Sequence, residues 1–241
     1  MLMKTGIVVL GQHSHSINEL RVAKRCVDYL ESKGHRNVRM AYHYGTPDSL
    51  DVISSMFLEE GIDTFAILPL NISEGNMTIW NMPKKIGLPD NSGSWTLIGG
   101  RDIATRFATA LNFDKRMADA IVRQLGEPDD GTGILFLIRG SRLSQAERTA
   151  EQYSDCVRAS GWKAAYATAQ AGSISAALEC LRGEGATSVR VIPLYVGFDG
   201  PSSKHALRNL EGSGIETIVE PAVSEMQEYY EILESKVPEG W

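Results

Sequence analysis

A short apolar segment recurs in the two halves of this chain. Ile67-Leu68-Pro69-Leu70 and Val191-Ile192-Pro193-Leu194 follow the same pattern, and each ends an apolar run typical of a buried strand. Around both segments, apolar runs of strand length alternate with amphipathic helical patterns. This alternation predicts parallel sheets covered by helices. The chain is therefore predicted to be α/β, with two similar doubly wound parallel-sheet domains related by internal duplication.

The domain boundary is predicted in the segment Gly126-Glu127-Pro128-Asp129-Asp130-Gly131, because glycine, proline and acidic residues together are typical of a linker. This gives domains over residues 1–127 and 128–241. A chain of 241 residues is long enough to bury a core in each. Two similar domains are expected to face each other across a cleft, with the loops after equivalent strands lining it.

The loop Gly11-Gln12-His13-Ser14-His15-Ser16 lies between an apolar run, Gly6 to Leu10, and a helical pattern that begins near Ile17. Loops in this position lie at the carboxyl edge of the sheet, where open α/β sheets bind ligands. Its two histidines are one residue apart, and imidazole serves both as metal ligand and as proton acceptor near neutral pH. The alternative is a polar loop whose side chains only cap the helix.

The other loops that follow predicted strands differ in charge between the two halves. Those of the first half carry possible ligand and acid/base atoms on His43, Glu74, Asn76 and Met77, whereas those of the second carry Arg139, Arg142, Lys204 and His205. Arginines can hold carboxylates through paired hydrogen bonds, with Lys84, Lys85 and Arg101 as further candidates. This asymmetry suits a substrate with carboxylates on its rim and a metal at its centre; the alternative is a solvated rim without a ligand.

Composition and charge exclude several classes of protein. A formal net charge of -6 and a pI near 5.4 argue against a general nucleic-acid or anionic-membrane binder. No apolar stretch is long enough to span a bilayer, and the amino end lacks a signal-peptide pattern, so a cytoplasmic location is expected. The three cysteines contain no Cys-x-x-Cys pair, and neither half carries a Gly-x-Gly-x-x-Gly fingerprint. Metal–thiolate sites and dinucleotide enzymes are therefore disfavoured.

Several of these motifs resemble those of the class II tetrapyrrole chelatases, the sirohydrochlorin cobaltochelatase and ferrochelatase family. Ile138-Arg139-Gly140-Ser141-Arg142 is similar to the family's Gly-His-Gly-Ser-Arg turn, and Leu68-Pro69-Leu70 with Gly75, Met77, Asn81 and Pro83 is similar to its second motif. Residues 110–117 resemble the approach to its closing helix. The resemblance covers nearly the whole chain. It implies ATP-independent insertion of a divalent metal, cobalt or else iron or nickel, into sirohydrochlorin or a related tetrapyrrole in the biosynthesis of cobalamin or sirohaem, without a nucleotide cofactor.

The chain departs from this family at the histidines. Arg139 and Gln12 stand where the first motif has histidine, and His13 and His15 lie one and three places further on. Met77 and Ser202 replace the later histidine, and His205 lies three residues beyond Ser202. A thioether is a weak ligand for divalent cobalt or iron, so the family's two-histidine site cannot be transferred intact.

The predicted site is therefore rearranged. The predicted catalytic residues are His13, His15 and Glu74, and the predicted metal ligands are His13, His15 and His205. Substrate contacts are predicted from two sets of loop residues, namely Gln12, Asn76 and Met77 in the first half and Arg139, Ser141, Arg142 and Lys204 in the second. The expected partner is a small-molecule tetrapyrrole rather than nucleic acid or membrane, bound by a monomer or homodimer. Two alternatives stay open, namely a tetrapyrrole- or metal-binding homologue that has lost chelatase activity and a binding module for an unrelated small anion.

Overall fold

The computed structural model describes residues 4–13, 15–92, 95–98 and 101–239. Its contacts group the chain into two compact units, one formed by Met1–Leu111 with Tyr230–Trp241 and the other by Asn112–Tyr229. Among the described residues, no helix has the length and apolar character needed to cross a bilayer.

The first unit is built on a five-stranded sheet. In chain order its elements are β1 (Thr5–His13), α1 (Ile17–Ser32), β2 (Val38–Tyr44), α2 (Ser49–Leu58), β3 (Thr64–Pro69), a π-helical turn (Met77–Asn81), α3 (Met82–Lys85), β4 (Trp95–Ile98) and β5 (Arg101–Phe107). The strand order is β2-β1-β3-β5-β4, and the neighbours are parallel except β4, which runs antiparallel to β5. Strand β5 was not expected, because its sequence Arg-Asp-Ile-Ala-Thr-Arg-Phe lacks the continuous apolar run that marks the central strands.

The second unit is built on a four-stranded parallel sheet of order β7-β6-β8-β9. Its elements are α4 (Lys115–Leu125), β6 (Thr132–Ile138), α5 (Gln145–Ala159), β7 (Lys163–Thr168), α6 (Ala171–Gly183), β8 (Ser188–Leu194), α7 (Pro201–Glu211) and β9 (Glu216–Val219). Helix α8 (Gln227–Glu234) contains the boundary between the units. The predicted α/β class and duplication are confirmed.

The duplication is visible in the strand register. The two repeated prolines occupy equivalent places, since Pro69 pairs with Leu10 of β1 and Pro193 pairs with Leu137 of β6. Both central strands are buried along their apolar runs, as expected for a parallel strand covered on both faces. Each unit therefore presents its loops at the carboxyl edge of an equivalent sheet.

The two units differ from the predicted division at residue 127, because α4 groups with the second unit and the chain's end groups with the first. The Tyr153 hydroxyl, on α5, donates to the Asn112 carbonyl at 3.1 Å and anchors the approach to α4. At the other end, the Lys236 ammonium donates to the Ala110 carbonyl at 3.0 Å, within the first unit. These contacts are long-range, and the composition of the predicted linker does not reveal them.

Candidate functional site

The carboxyl end of β1 is fixed by a buried carboxylate on α1. Glu19 Oε1 accepts hydrogen bonds from the backbone N–H groups of Gln12 and His13, the latter at 3.3 Å. The Ser16 hydroxyl caps α1 by accepting from the Glu19 N–H at 3.1 Å. The strand consequently continues to His13, beyond the predicted end at Leu10. Ser16 therefore caps the helix, as the alternative interpretation of this loop supposed of its side chains, whereas Ser14 lies outside the described residues.

Gly11 allows the close approach of three elements at this point. A Cβ atom built there would lie 2.6 Å from the Tyr42 ring and 2.8 Å from Glu19 Oε1. Burial, followed by the nearby Glu19 charge, raises the pKa of the Tyr42 phenol to about 12. Tyr42 thus stays neutral under ordinary conditions, and the negative charge behind His13 resides on Glu19.

Three rings lie together at the ends of β1 and β2, and we call them the imidazole–tyrosine cluster: His13, His43 and Tyr44. The His13 ring stacks on Tyr44 with centroids 4.9 Å apart and an interplanar angle of 22°. His43 meets Tyr44 edge to face at 4.3 Å and 79°. Tyr44 is 46% exposed, so the cluster reaches the surface at the carboxyl edge of the sheet.

His43 is the buried member of this cluster. Its side chain is 8% exposed, and Nδ1 has no hydrogen-bond partner within the described part of the chain. Burial lowers the pKa of His43, and the neighbouring Lys85 charge lowers it further. The imidazole is therefore neutral at pH 7, the form in which a ring nitrogen can coordinate a metal.

Lys85 and Asp48 support the cluster from α3 and the start of α2. The Lys85 ammonium donates to both the His43 carbonyl and Asp48 Oδ2. Asp48 is the N-cap residue of α2. Burial raises the pKa of Asp48, but the hydrogen bonds from Lys85 and the Leu50 N–H outweigh it and leave the pKa below its usual value. Lys85 was a candidate for holding substrate carboxylates; in the structure it forms this ion pair instead.

Glu74 holds its loop in place. Its Oε1 accepts from the Ala110 N–H at 2.8 Å, and its Oε2 accepts from the Thr78 hydroxyl at 2.8 Å and from Asn91 Nδ2 at 3.3 Å. Both oxygens are thereby used in joining the loop after β3 to two distant segments. These contacts favour a structural role for Glu74, and its predicted catalytic role stays a prediction.

The remaining predicted site residues of the first unit do not join the imidazole–tyrosine cluster as it is defined above. His15 is exposed in the turn before α1, and Gln12 and Asn76 are half-buried. The Met77 side chain packs against the apolar core between α2 and the sheet, which gives it a packing role. Within residues 4–13, 15–92, 95–98 and 101–239, no three His, Cys, Asp or Glu side chains form a possible metal-binding group. The structure thus does not assemble the predicted ligands into such a group.

In the second unit, the predicted substrate residues follow β6 and begin α7. Arg139 and Arg142 are exposed directly after β6, and the Ser141 hydroxyl between them accepts from the Leu143 N–H at 3.2 Å. Lys204 and His205 are exposed in the first turns of α7. All five lie at the carboxyl edge of this unit's sheet, as predicted from their positions after strands.

The sequence reasoning missed three residues that shape these edges. Glu19 carried a detectable signal, since Ser16-x-x-Glu19 has the form of a capping box. Tyr44 is the last residue of β2, and Tyr195 directly follows β8. Aromatic residues at strand ends are hard to distinguish from core residues by sequence. Tyr195 is 6% exposed, and burial raises the pKa of its phenol to about 12 although Arg139 and Ser202 act in the opposite direction.

Comparison with solved structures identifies the fold. SirB from Bacillus subtilis, solved with Fe3+, superimposes with a TM-score of 0.74 over 98% of this chain and 94% of its own at 11% identity. CbiX, described as the terminal enzyme of sirohaem biosynthesis in denitrifying bacteria, gives 0.64 at 16% identity, covering 98% of this chain and 99% of its own. DR2241 from Deinococcus radiodurans, a multi-domain protein with structural similarity to chelatases, gives 0.70 at 18% identity, covering 99% of this chain and 56% of its own.

No protein-family model matches the sequence, and no curated protein matches it. The structural likeness shows that the chain has the class II chelatase fold, as the motifs predicted. At these identities the likeness concerns the fold, and any activity has to be argued from the residues of this chain.

Proposed function

We propose that this protein inserts a divalent metal, cobalt or else iron or nickel, into sirohydrochlorin or a related tetrapyrrole. The observation that carries the proposal is the imidazole–tyrosine cluster at the carboxyl edge of the first sheet, on a fold shared with proteins named as sirohydrochlorin chelatases. The metal is a substrate of this reaction, and no nucleotide takes part.

The chemistry requires two operations from the protein. The incoming cation must exchange water for nitrogen ligands, and two pyrrole protons must pass to an acceptor. His43 is suited to the first, because its lowered pKa keeps the ring neutral. We assign His13 to either operation, and the buried Glu19 carboxylate beside its backbone supports this by favouring a cation here. His15 and His205 remain proposed participants.

The fit between donors and metal supports a transient site. The two imidazoles of the cluster would leave several coordination positions of a bound ion to water, which suits an ion that must be passed on. Imidazole is an appropriate ligand for iron, nickel and other first-row divalent metals. The residues present therefore do not select one metal.

The test is an anaerobic assay with sirohydrochlorin and Co2+, Fe2+ or Ni2+, followed by absorbance. We expect insertion by the unmodified protein and a loss of about 100-fold in His13→Gln, the scale of a lost proton-transfer group. His15→Gln tests the second predicted histidine in the same assay. His35→Gln is the matched control, since His35 pairs with Glu234 at 3.1 Å elsewhere in the first unit. Absence of insertion with every metal would contradict the proposal.

Arg139, Ser141, Arg142 and Lys204 are proposed to bind the substrate's carboxylates. Arg139→Ala is expected to weaken sirohydrochlorin binding more than Co2+ binding, because guanidinium contacts to carboxylates are lost while the imidazoles remain. Arg208→Ala, further along α7, is the control. Equal substrate affinity in Arg139→Ala and the unmodified protein would remove this role.

The second candidate function is a tetrapyrrole- or metal-binding homologue without chelatase activity. It is favoured by the Glu74 carboxylate, whose two oxygens are occupied by three hydrogen bonds. The same assay separates the two functions, since a binding protein shifts the sirohydrochlorin spectrum without producing the metallated product.

A further inference from the structure

We propose that the N-terminus of α7 is a carboxylate-binding subsite, in which the Ser202 hydroxyl contacts the carboxylate, the Tyr195 hydroxyl supports Ser202 from behind and Arg139 supplies positive charge. The identity of its occupant, a carboxylate of the tetrapyrrole, rests on the proposed function. The existence of the subsite rests on the second unit alone.

The first observation is the buried hydroxyl of Tyr195, directly after β8. The side chain is 6% exposed, and its hydroxyl has no well-oriented hydrogen bond within the described residues. The ring is held by Phe198 in an edge-to-face contact at 4.9 Å and 70°. Tyr195 belongs to the same core cluster as Ala206 of α7, and Arg139 directly follows Ile138, the register partner of Leu194. Ser202 and the Arg139 charge both act to lower the pKa of the phenol. A buried donor without a partner lowers the stability of the fold, and this cost is removed when an acceptor forms a hydrogen bond with it.

The second observation is the uncapped start of α7, a helix of 11 residues. Gly200 provides no side-chain cap, and Pro201 has no N–H to donate. The first helical bond runs from the Lys204 N–H to the Gly200 carbonyl at 3.1 Å. The N–H groups of Ser202 and Ser203 therefore precede the helical hydrogen bonds and point along the positive end of the helix dipole.

These groups form one set of donors for an oxyanion. The two N–H groups and the Ser202 hydroxyl can donate to it, while Ser202 Oγ accepts from the Tyr195 hydroxyl. Arg139 adds a guanidinium, which binds planar carboxylates well. Asp199 stands immediately before the N-cap and contributes one negative charge. A monovalent carboxylate is consequently favoured over a divalent phosphate.

The experiment uses the whole chain without tetrapyrrole. Sodium acetate, inorganic phosphate and sodium chloride are titrated in turn while the backbone amide resonances of Ser202 and Ser203 are followed by NMR. We expect saturable shifts with acetate, weaker shifts with phosphate and none with chloride. Tyr195→Phe should raise the acetate dissociation constant by about fivefold, the effect of one neutral hydrogen bond. Tyr166→Phe, in β7, should leave it unchanged.

Ser202→Ala gives an independent test of the same site and should weaken acetate at least as much as Tyr195→Phe. Ser175→Ala, exposed on α6, is its control. With substrate, Tyr195→Phe should raise KM for sirohydrochlorin while kcat stays constant, the pattern of a lost uniform binding contact.

Three results would overturn the inference: no acetate-dependent shift at these amides, unchanged acetate affinity in both Tyr195→Phe and Ser202→Ala, or binding of phosphate without acetate. If acetate binds but the unmodified protein inserts no metal, the proposed function fails while the subsite stands. If insertion proceeds but acetate does not bind, the subsite fails alone.

Discussion

His13 and Tyr44 are register partners on the neighbouring strands β1 and β2, and their rings stack with centroids 4.9 Å apart. The orientation of this imidazole is therefore set by the adjacent strand as well as by its own loop. His43 precedes Tyr44 in the sequence, and its ring contacts the Tyr44 ring edge to face. Two histidines that are 30 positions apart in the sequence thus become neighbours of one phenol ring.

Replacing Tyr44 tests whether this stack orients His13. Tyr44→Leu is expected to lower the free energy of unfolding by about 1 kcal/mol and to reduce metal insertion, because an aromatic pair is lost. Tyr44→Phe keeps the ring and should retain both. Urea denaturation measures the change in stability, and the insertion assay measures the change in activity. Tyr29→Leu is the control for losing an aromatic pair elsewhere, because it removes the Tyr29–Tyr230 contact. Equal activity in the Leu and Phe variants would rule out the orienting role.

Replacing Glu19 tests the support behind His13. Glu19→Ala leaves the backbone N–H groups of Gln12 and His13 without their acceptor, so we expect a loss of about 1–3 kcal/mol in the free energy of unfolding. Glu31→Ala, exposed on the same helix, should change it little. Chemical denaturation monitored by circular dichroism provides the measurement. A Glu19→Ala protein as stable as Glu31→Ala would show that these two bonds contribute nothing.

Replacing Gly11 and replacing Gly172 by alanine are expected to change stability in opposite directions. Gly11→Ala places a methyl group 2.6 Å from the Tyr42 ring, so we expect destabilisation by several kcal/mol or failure to fold. Gly172→Ala, within α6 and with no atom within 4 Å, should stabilise by about 0.5–1 kcal/mol. Thermal unfolding measures both. The close packing of β1, β2 and α1 would be disproved by a Gly11→Ala protein that melts at the wild-type temperature.

The Asp48–Lys85 pair predicts a dependence of stability on pH. Because the pKa of Asp48 is lowered on folding, its contribution is fully present above the unfolded value of about 3.9 and is lost as the pH falls through the folded value. Asp48→Asn keeps the N-cap but loses the ion pair, so it should be less stable by about 1 kcal/mol at pH 7.

This difference should narrow as the pH falls below the unfolded value of about 3.9, which urea denaturation at pH 7 and at pH 3 would show. Asp28→Asn, exposed on α1, is the control. A difference that persists unchanged at pH 3 would mean that the Asp48 charge is not its source.

Much of the fold could be predicted from the sequence. The continuous apolar runs of β1, β3, β6 and β8 identified central parallel strands, because only strands covered on both faces lack polar alternation. Strand β5 escaped prediction because charged, polar and apolar residues are mixed in its sequence, and its existence depends on pairing with β3 and β4. The grouping of α4 with the second unit depends likewise on contacts between distant residues.

For the candidate site, the sequence by itself determined which loops lie at the carboxyl edges of the sheets, because strand and helix order fixes where loops fall. It therefore placed His13 and Arg139 at those edges, where β1 and β6 end, while their roles in a site stay predictions. Only the tertiary structure decided that His13 stacks on Tyr44, that Lys85 pairs with Asp48 and that Glu74 is occupied by backbone and side-chain donors. The physical reason is that strand pairing and helix packing set which side chains meet, and neither is encoded in the spacing of residues along one segment.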